Sequence, residues 1–223
     1  MKPYFETALG CLYNMDCLEF MKTMEDKSVD LVLTDPPYGI GIAPEGWVRD
    51  GMMAQPKQYD KVNWDSQTPP QECFNEIQRV SKKQIIFGGN YFTDKLPPAK
   101  CWICWDKQIP KGFTKAQIEL AWTNLTTYSR LYSVLWHGMI RVRDQGQEER
   151  HHPTEKPFRL IRQIIRELAK DNEVILDPYL GGGTTAVVCE KLSRKWIGIE
   201  ISEKYCEIAA KRINSEASQI KLF

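Results

Sequence analysis

The feature that most constrains the fold is a glycine-rich stretch, residues 173–185, with the sequence EVILDPYLGGGTT. An apolar strand-like run leads into three glycines, and a helix-like run follows them. This order brings a ligand close to backbone amides at the edge of a parallel sheet. A second strand-like run, residues 195–200, ends in Glu200, whose carboxylate is placed to accept hydrogen bonds from ribose hydroxyls. The pattern predicts a nucleoside-cofactor loop, and the simpler alternative is an ordinary α/β turn beside a surface acid.

Strand-like runs alternate with amphipathic helix-like runs along the rest of the chain. This alternation predicts an α/β fold with a mostly parallel sheet and helices on both faces. Besides the two runs around the glycines, the predicted strands are residues 29–34, 84–89, 101–105 and 118–122. The predicted helices are residues 18–25, 71–81, 158–169, 184–192 and 202–213. At 223 residues and 42% hydrophobic, the chain is expected to form one domain, residues 1–223.

A second motif, Asp35-Pro36-Pro37-Tyr38, follows the predicted strand 29–34 directly. The prolines fix their own φ and lack N–H groups, so the turn is stiff and offers acceptors without competing donors. The Asp35 carboxylate and the Pro36 carbonyl can accept the two hydrogens of an exocyclic amino group, while the Tyr38 ring stacks on the base. These four residues alone are equally compatible with a proline-stiffened turn in which Tyr38 is ordinary packing.

Taken together, the two motifs resemble those of the S-adenosylmethionine-dependent DNA amino-methyltransferases, in the permuted order called the β group. The catalytic tetrapeptide comes first and the cofactor loop last. Residues 14–18 (NMDCL) and 152–157 (HPTEKP) also look like motifs of that family, so the match extends over most of the chain. The loop departs from the family at two positions, with Tyr179 where Phe is frequent and Gly182 where Ser is frequent. The resemblance implies a Rossmann-like methyltransferase fold.

The resemblance also implies a role for each matching residue. Asp35, Pro36, Pro37 and Tyr38 would be catalytic. Glu200 would bind the ribose of S-adenosylmethionine, and Asp16 its adenine end. Thr154 and Lys156 would lie near the methionine carboxylate. The methionine part would be bound by Asp177 and the glycine loop, and the full expected cofactor set is Asp16, Asp35, Thr154, Lys156, Asp177, Tyr179, Gly181, Gly182, Gly183, Thr184 and Glu200.

The chemistry implied by these residues is direct transfer of a methyl group to a flipped-out adenine N6. The amino nitrogen is a poor nucleophile because its lone pair is delocalised, and two acceptors on its hydrogens free that pair for in-line attack. Asp at the head of the tetrapeptide favours adenine over cytosine N4, for which Ser is commoner in the family. Two alternatives stay open. The first is methylation of cytosine N4 in DNA, or of an amino group in RNA or protein. The second is a catalytically idle cofactor-binding subunit that recognises DNA.

Two segments do not fit the predicted sheet. Residues 39–70 are rich in glycine, proline and charge, and are expected to form a functional loop after the catalytic turn. Residues 123–150 mix arginines with aromatic residues, which predicts a short target-recognition segment in which Arg130, Arg141 and Arg143 bind DNA. A solvated edge hairpin is the alternative interpretation. Because the formal net charge is only +1, attraction to double-stranded DNA must come from such local patches.

The remaining composition bears on location and on other chemistries. Seven cysteines without framework spacing are typical of a reduced compartment, and a cytoplasmic enzyme that does not enter a membrane is expected. The single CxxC, residues 101–104, has no second ligand pair, so it predicts a buried strand and no metal site. No cysteine follows a proline, which argues against carbon-5 cytosine methylation. Expected partners are DNA, a second copy of the chain and a cognate restriction endonuclease.

Overall fold

The structure, a computed structural model, describes residues 1–41, 65–110, 116–125, 128–137, 140–141 and 155–220. The strands in these ranges are β1 (Phe5–Glu6), β2 (Gly10–Asn14), β3 (Val29–Thr34), β4 (Ser81–Phe87), β5 (Cys101–Asp106), β6 (Ile118–Thr123), β7 (Arg130–Ser133), β8 (Trp136–His137), β9 (Ile140–Arg141), β10 (Val174–Asp177) and β11 (Lys195–Glu200). The helices are α1 (Cys17–Lys22), α2 (Gln71–Val80), α3 (Phe158–Leu168), α4 (Thr184–Lys191) and α5 (Glu203–Ile220), with a 3-10 turn at Gly89–Tyr91.

Nine of these strands form one mixed, mostly parallel sheet in the order β1-β2-β11-β10-β3-β4-β6-β5-β7. The central run from β2 to β4 is parallel throughout, while β6 pairs antiparallel with both β4 and β5. Strands β8 and β9 form a separate antiparallel pair. The predicted α/β fold with a mostly parallel sheet is confirmed.

The sheet has a switch point between β10 and β3, its two central strands. From β10 the chain continues to β11 on one side, and from β3 it continues to β4 on the other. In such sheets the crevice at the carboxyl ends of the two central strands is the usual ligand site. Residues Asp35 and Asp177 lie at these two strand ends, so the topology itself positions the two motifs side by side.

Each face of the sheet is covered by its own set of helices. One buried cluster contains residues of α3, α4 and α5, and a second contains residues of α1 and α2. Neighbouring strand residues divide between the clusters, as when Ile85 joins the first and Ile86 the second, because successive side chains of a strand point to opposite faces. This arrangement confirms the prediction of helices on both faces.

The predicted elements agree with the observed ones to within a few residues at most ends, but helix α5 is longer than predicted and strands β1, β2, β7, β8 and β9 were not predicted. Helix α5 continues to Ile220, seven residues past its predicted end. The expectation that residues 123–150 lie outside the sheet is wrong for β7, which pairs with β5 as an edge strand. Only Tyr132 of its four residues is buried, so the strand lacks a clear alternating pattern. The CxxC, as predicted, lies in a strand.

In the described part of the chain, no helix is long and apolar enough to cross a membrane.

Candidate active site

The glycine loop connects β10 to α4 and is shaped by two residues in the left-handed region. Gly181 has φ of 53° and Gly183 has φ of 87°, a conformation that residues with a side chain rarely adopt. A Cβ on Gly183 would lie 2.9 Å from the Cβ of Ala209 in α5. Glycine is therefore required at position 183 by close packing against α5 as well as by backbone conformation.

Asp177 ends β10 and is the deepest carboxylate of the site. Its side chain accepts hydrogen bonds from the Thr34 hydroxyl at 2.8 Å, the Thr185 hydroxyl at 2.6 Å and the Tyr179 backbone N–H at 3.1 Å. Burial raises the pKa of Asp177 to about 6, and these three donors oppose that shift. All three donors are uncharged, so the ionised carboxylate carries a negative charge that these bonds do not neutralise.

Glu200 ends β11 and ties the glycine loop to the next strand. One carboxylate oxygen accepts the Gly181 N–H at 2.8 Å, and the other accepts the Ser202 N–H at 2.8 Å. Burial raises the pKa of Glu200, and the backbone donors lower it. A carboxylate has about four acceptor positions, so the two backbone bonds leave capacity for ligand hydroxyls.

Asp35 follows β3 and is part of a buried network of charged side chains. Its Oδ2 lies 2.5 Å from the Lys156 Nζ, and its Oδ1 lies 2.5 Å from the Tyr38 hydroxyl. The same Lys156 Nζ lies 2.8 Å from Glu119 Oε1 in β6. Lys107 Nζ lies 2.8 Å from the other oxygen of Glu119. Burial raises the pKa of Asp35, the Lys156 ammonium opposes this, and the Glu119 charge adds to it.

The Tyr38 ring is packed against Tyr91 and Gly88. Its ring stacks on Tyr91, with centroids 4.9 Å apart and planes inclined by 17°. Gly88, with φ of 70°, lies so close beneath the ring that a Cβ there would be 2.1 Å from Tyr38 Cε1. One ring face is therefore covered by Tyr91, which is itself 41% exposed. A base that stacks on Tyr38, as expected, therefore has to share this ring with Tyr91.

The backbone of the tetrapeptide turn is anchored by Asp65, which is buried. Its Oδ1 accepts the Tyr38 N–H at 2.7 Å and the Gly39 N–H at 3.0 Å. Asp65 belongs to the end of the expected loop 39–70, and residues 42–64 of that loop lie outside the described residues. The described end of this loop therefore fixes the conformation of the catalytic turn.

Residues 155 and 156 connect the glycine loop with the catalytic network. Glu155 accepts the Thr184 hydroxyl at 2.8 Å and pairs with Arg212 of α5 at 2.7 Å. Arg212 also donates to the Gly182 carbonyl. The next residue, Lys156, binds Asp35. Two consecutive side chains thus contact the two halves of the candidate site.

The structure brings most of the expected cofactor residues into one crevice. A pocket between the two central strand ends is lined by Thr34, Asp35, Glu155, Lys156, Asp177, Tyr179, Gly181, Gly182, Thr184 and Thr185. Lys156 was expected near the methionine carboxylate, and its ammonium lies on Asp35 instead. Thr154 lies outside the described residues.

Two other expected cofactor residues have structural contacts of their own. Asp16 is exposed and caps α1, where its Oδ1 accepts the Leu18 N–H at 2.8 Å and the Glu19 N–H at 3.1 Å. The Tyr179 side chain packs in the cluster formed by α1 and α2, and interacts with the thiols of Cys17 and Cys73.

The structure describes two of the three predicted DNA-binding arginines, Arg130 and Arg141, and they lie in different strands. Arg130 begins β7, and its guanidinium pairs with Glu167 of α3 at 2.7 Å and lies over the Tyr128 ring at 4.6 Å. Arg130 lies opposite Ile103 of β5, in the outermost strand of the sheet. Arg141 lies in β9, opposite Trp136 of β8. Arg143 lies outside the described residues.

Sequence reasoning missed Glu119, Lys107, Asp65, Tyr91 and Arg212. The one local signal was available for Glu119, an acid within the apolar strand sequence IELAWT. A buried acid is costly unless it is paired, so its position already called for a cationic partner. The partner, Lys156, is distant in sequence, and no spacing rule connects the two.

Among the described residues, no group of three or more His, Cys, Asp or Glu side chains is arranged to hold a metal ion.

Comparison with known proteins gives consistent matches. Residues 107–211 match the model of the N6/N4 DNA methylase family. The chain is 25% identical to the type II methyltransferase M2.DpnII of Streptococcus pneumoniae, covering 96% of this chain and 93% of that protein. It is 27% identical to the type II methyltransferase M.HinfI of Haemophilus influenzae, covering 96% of this chain and 70% of that protein.

Solved structures share the fold. The PvuII DNA methyltransferase, described as cytosine-N4-specific, superposes with a TM-score of 0.64 at 17% identity, covering 98% of this chain and 95% of that one. A putative DNA modification methylase of Thermus thermophilus, solved with S-adenosyl-L-methionine, gives a TM-score of 0.57 at 20% identity, covering 94% and 96%. In its motifs, its fold and these matches, the chain is similar to the N6/N4 DNA methylases.

Proposed function

We propose that the protein transfers a methyl group from S-adenosylmethionine to N6 of a flipped-out adenine in double-stranded DNA. The observation that carries this proposal is the adjacency of two buried carboxylates with different surroundings. Asp177 belongs to the glycine loop, Asp35 belongs to the tetrapeptide, and Thr34 connects the two strand ends through its hydrogen bond to Asp177. A cofactor on the first carboxylate would be next to a base on the second.

The chemistry of the donor set fits S-adenosylmethionine. This cofactor carries a cationic sulfonium and amino group, and Asp177 offers a buried negative charge bound only by uncharged donors within the described site. Asp177 and the loop from Gly181 to Gly183 would hold its methionine part, and Glu200 its ribose hydroxyls. When bound, the cofactor supplies the electrophilic methyl group.

The residues of the tetrapeptide would prepare the nucleophile. Asp35 Oδ1 accepts one hydrogen of the base amino group and the Pro36 carbonyl the other, which draws electron density back to the nitrogen. The nitrogen must lose one hydrogen during the reaction. A carboxylate with a raised pKa is suited to receive that proton, and burial gives Asp35 this property.

Adenine is the proposed base because Asp35 begins the tetrapeptide, where Ser is commoner in the cytosine-specific members. The base must leave the duplex to reach Asp35, at a cost of a few kcal/mol that contacts with aromatic rings and phosphates offset. Residues 123–150, with Arg141 and Arg143, and the loop 39–70 are the proposed contacts to DNA. Arg130 would have to leave Glu167 to contribute.

The type II methyltransferases among the relatives support a place in a restriction-modification system. A cognate restriction endonuclease would then be the biological partner. A homodimer is the proposed assembly for a symmetric DNA target, and light scattering of the protein with and without duplex DNA tests it.

The function is tested by incubating the protein with methyl-labelled S-adenosylmethionine and DNA of mixed sequence. After digestion to nucleosides, mass spectrometry should detect N6-methyladenine. N4-methylcytosine would instead establish the cytosine alternative. Cofactor binding in calorimetry with no methylated nucleoside would indicate an idle DNA-recognition subunit. The Asp35→Asn variant, purified in the same way, controls for contaminating methylases of the expression host.

A further inference from the structure

Glu119 has no role in the reaction described so far, yet it contacts both side chains that hold Asp35. It lies near the start of β6, and because β6 is antiparallel to β4, this end meets the carboxyl edge of the parallel strands. Its Oε1 lies 2.8 Å from the Tyr38 hydroxyl and 2.8 Å from Lys156 Nζ. Its side chain is only 14% exposed.

Tyr38 and Lys156 have fewer hydrogens between them than donor–acceptor contacts in this network, four hydrogens for five contacts. The Tyr38 hydroxyl has one hydrogen, and it faces Asp35 Oδ1 at 2.5 Å and Glu119 Oε1 at 2.8 Å. Lys156 has three, and its Nζ is within hydrogen-bond distance of Asp35, Glu119 and the Tyr38 oxygen. Only one carboxylate at a time can therefore receive the Tyr38 hydrogen. Rotation about the phenolic C–O bond transfers this hydrogen bond without moving any heavy atom.

We propose that Glu119 is a positioning residue for methyl transfer: it takes over the Tyr38 hydrogen bond when the amino group of the target base binds Asp35 Oδ1. This inference rests on the proposed function. The exchange frees the Asp35 oxygen for the base while the Tyr38 ring stays in place. Since buried polar groups are costly when unpaired, the second acceptor allows Asp35 to change partners without leaving the hydroxyl unsatisfied.

The Lys156 ammonium is also shared between Glu119 and Asp35. Without Glu119, the Lys156 ammonium would bind Asp35 alone and weaken that carboxylate as an acceptor. With it, two carboxylates share the ammonium, and Lys107 at 2.8 Å balances the second negative charge. Two acids and two lysines leave the buried network neutral.

Two substitutions of Glu119 separate its functions. Glu119→Gln keeps an acceptor oxygen and removes the charge, whereas Glu119→Met keeps a similar shape and removes the acceptor. We expect Glu119→Met to lower kcat by roughly 30-fold or more. On a logarithmic scale, the loss in Glu119→Gln should be smaller than this by at least about a third. Calorimetry should give cofactor affinities within about threefold of the wild type for both. Equal losses in both variants would overturn the proposal.

A double-mutant cycle with Tyr38→Phe tests the exchange itself. Without the phenolic hydrogen Glu119 has no hydrogen bond to take over from Asp35, so Glu119→Met should cost at least about fivefold less in kcat in the Tyr38→Phe background. Losses that multiply in the double variant would overturn the exchange. A wild-type protein that methylates no DNA would overturn the proposed function together with this inference, whereas an active wild type with multiplying losses overturns the inference alone.

If Glu119→Met does not fold, the pH profile of Glu119→Gln decides. Asp35 faces Lys156, Glu119, Tyr38 and Asp177, and of these Glu119 raises its pKa by charge repulsion. Removing that charge should move the acid limb of kcat to lower pH. An acid limb at the wild-type position would show that Glu119 does not act on Asp35.

Discussion

Asp177 ends β10 and Asp35 directly follows β3, the neighbouring strand, but the partners of these two carboxylates differ in kind. Asp177 is bound by two hydroxyls and a backbone N–H, whereas Asp35 is paired with the Lys156 ammonium. The cofactor half of the crevice thus keeps a negative charge for a cationic ligand. In the catalytic half the Lys156 ammonium already balances the charge of Asp35, so this half can accept a neutral base. The difference between the two carboxylates divides the crevice by the charge of the ligand that each half accepts.

The largest effect is expected from removing the acceptor on the catalytic side. Asp35→Asn replaces an acceptor oxygen by an NH2 group facing Lys156 or Tyr38, and should lower kcat by about 10³-fold or more. Cofactor affinity should change by less than about threefold, because the charge proposed to bind the cofactor belongs to Asp177. Single-turnover assays and calorimetry measure the two quantities.

The matched control for this variant is Asp30→Asn in the same strand. Asp30 lies at the opposite end of β3, where it binds Lys82 and the Val174 N–H. Its substitution should leave kcat unchanged. Near-normal turnover of Asp35→Asn would contradict the catalytic assignment.

The second expected effect concerns the shape of the cofactor half. Gly183→Ala places a Cβ 2.9 Å from Ala209 Cβ and 3.0 Å from its Cα, at φ of 87°. We expect a loss of about 2–3 kcal/mol in the free energy of unfolding, from left-handed strain plus overpacking, and weaker cofactor binding. Gly41→Ala is the control, since Gly41 has φ of 61° and no atom of the described residues lies within 4 Å of the added Cβ. Equal losses in both variants would show that packing against α5 contributes nothing.

The third prediction uses the uncompensated charge on Asp177. Its pKa in the folded protein, about 6, exceeds the ordinary value of 3.8, so the folded state binds the proton more tightly than the unfolded state. The ionised group therefore destabilises the fold above about pH 6, and this cost vanishes below the unfolded pKa. Without cofactor, Asp177→Asn should be more stable than the wild type by about 1–2 kcal/mol at pH 8 and no more stable at pH 4.

Denaturant titrations at the two pH values measure this difference, and calorimetry should show weaker cofactor binding by Asp177→Asn. Thr185→Val is a useful companion, because it removes one neutral donor and leaves the charge. A stability difference that is the same at both pH values would mean that the Asp177 charge is not costly.

The smallest effect is expected at Arg130. Because its guanidinium is paired with Glu167 and β7 is the outermost strand of the sheet, Arg130→Gln should cost less than about 1 kcal/mol in DNA affinity and barely change its salt dependence. Arg141→Gln should weaken DNA binding more and flatten the salt dependence. Fluorescence anisotropy at several salt concentrations compares them. A larger effect at Arg130 would mean that the ion pair opens on DNA.

Features that depend on residues close together in the sequence could be predicted, and features that depend on distant residues could not. The glycine loop and the tetrapeptide are local signals, and the strands that carry them have the predicted positions. Strand β7 was missed because an edge strand with one buried residue has little pattern. The end of helix α5 was predicted too early because the residues after Ile213 are mostly polar. The pairing of Glu119 with Lys156 could not be predicted, since it depends on how β6 is placed in the finished sheet.

The parallel pairing of β2 with β11 has a consequence for biosynthesis. Gly10 to Asn14 lie beside Trp196 to Glu200, so β2 has as its inner neighbour a strand that is translated much later. At ordinary elongation rates the ribosome needs roughly 10–40 s to make the intervening chain. During that time the hairpin of β1 and β2 has an unpaired inner edge, a known hazard for aggregation. The nascent chain is thus a natural client for chaperones until β11 emerges.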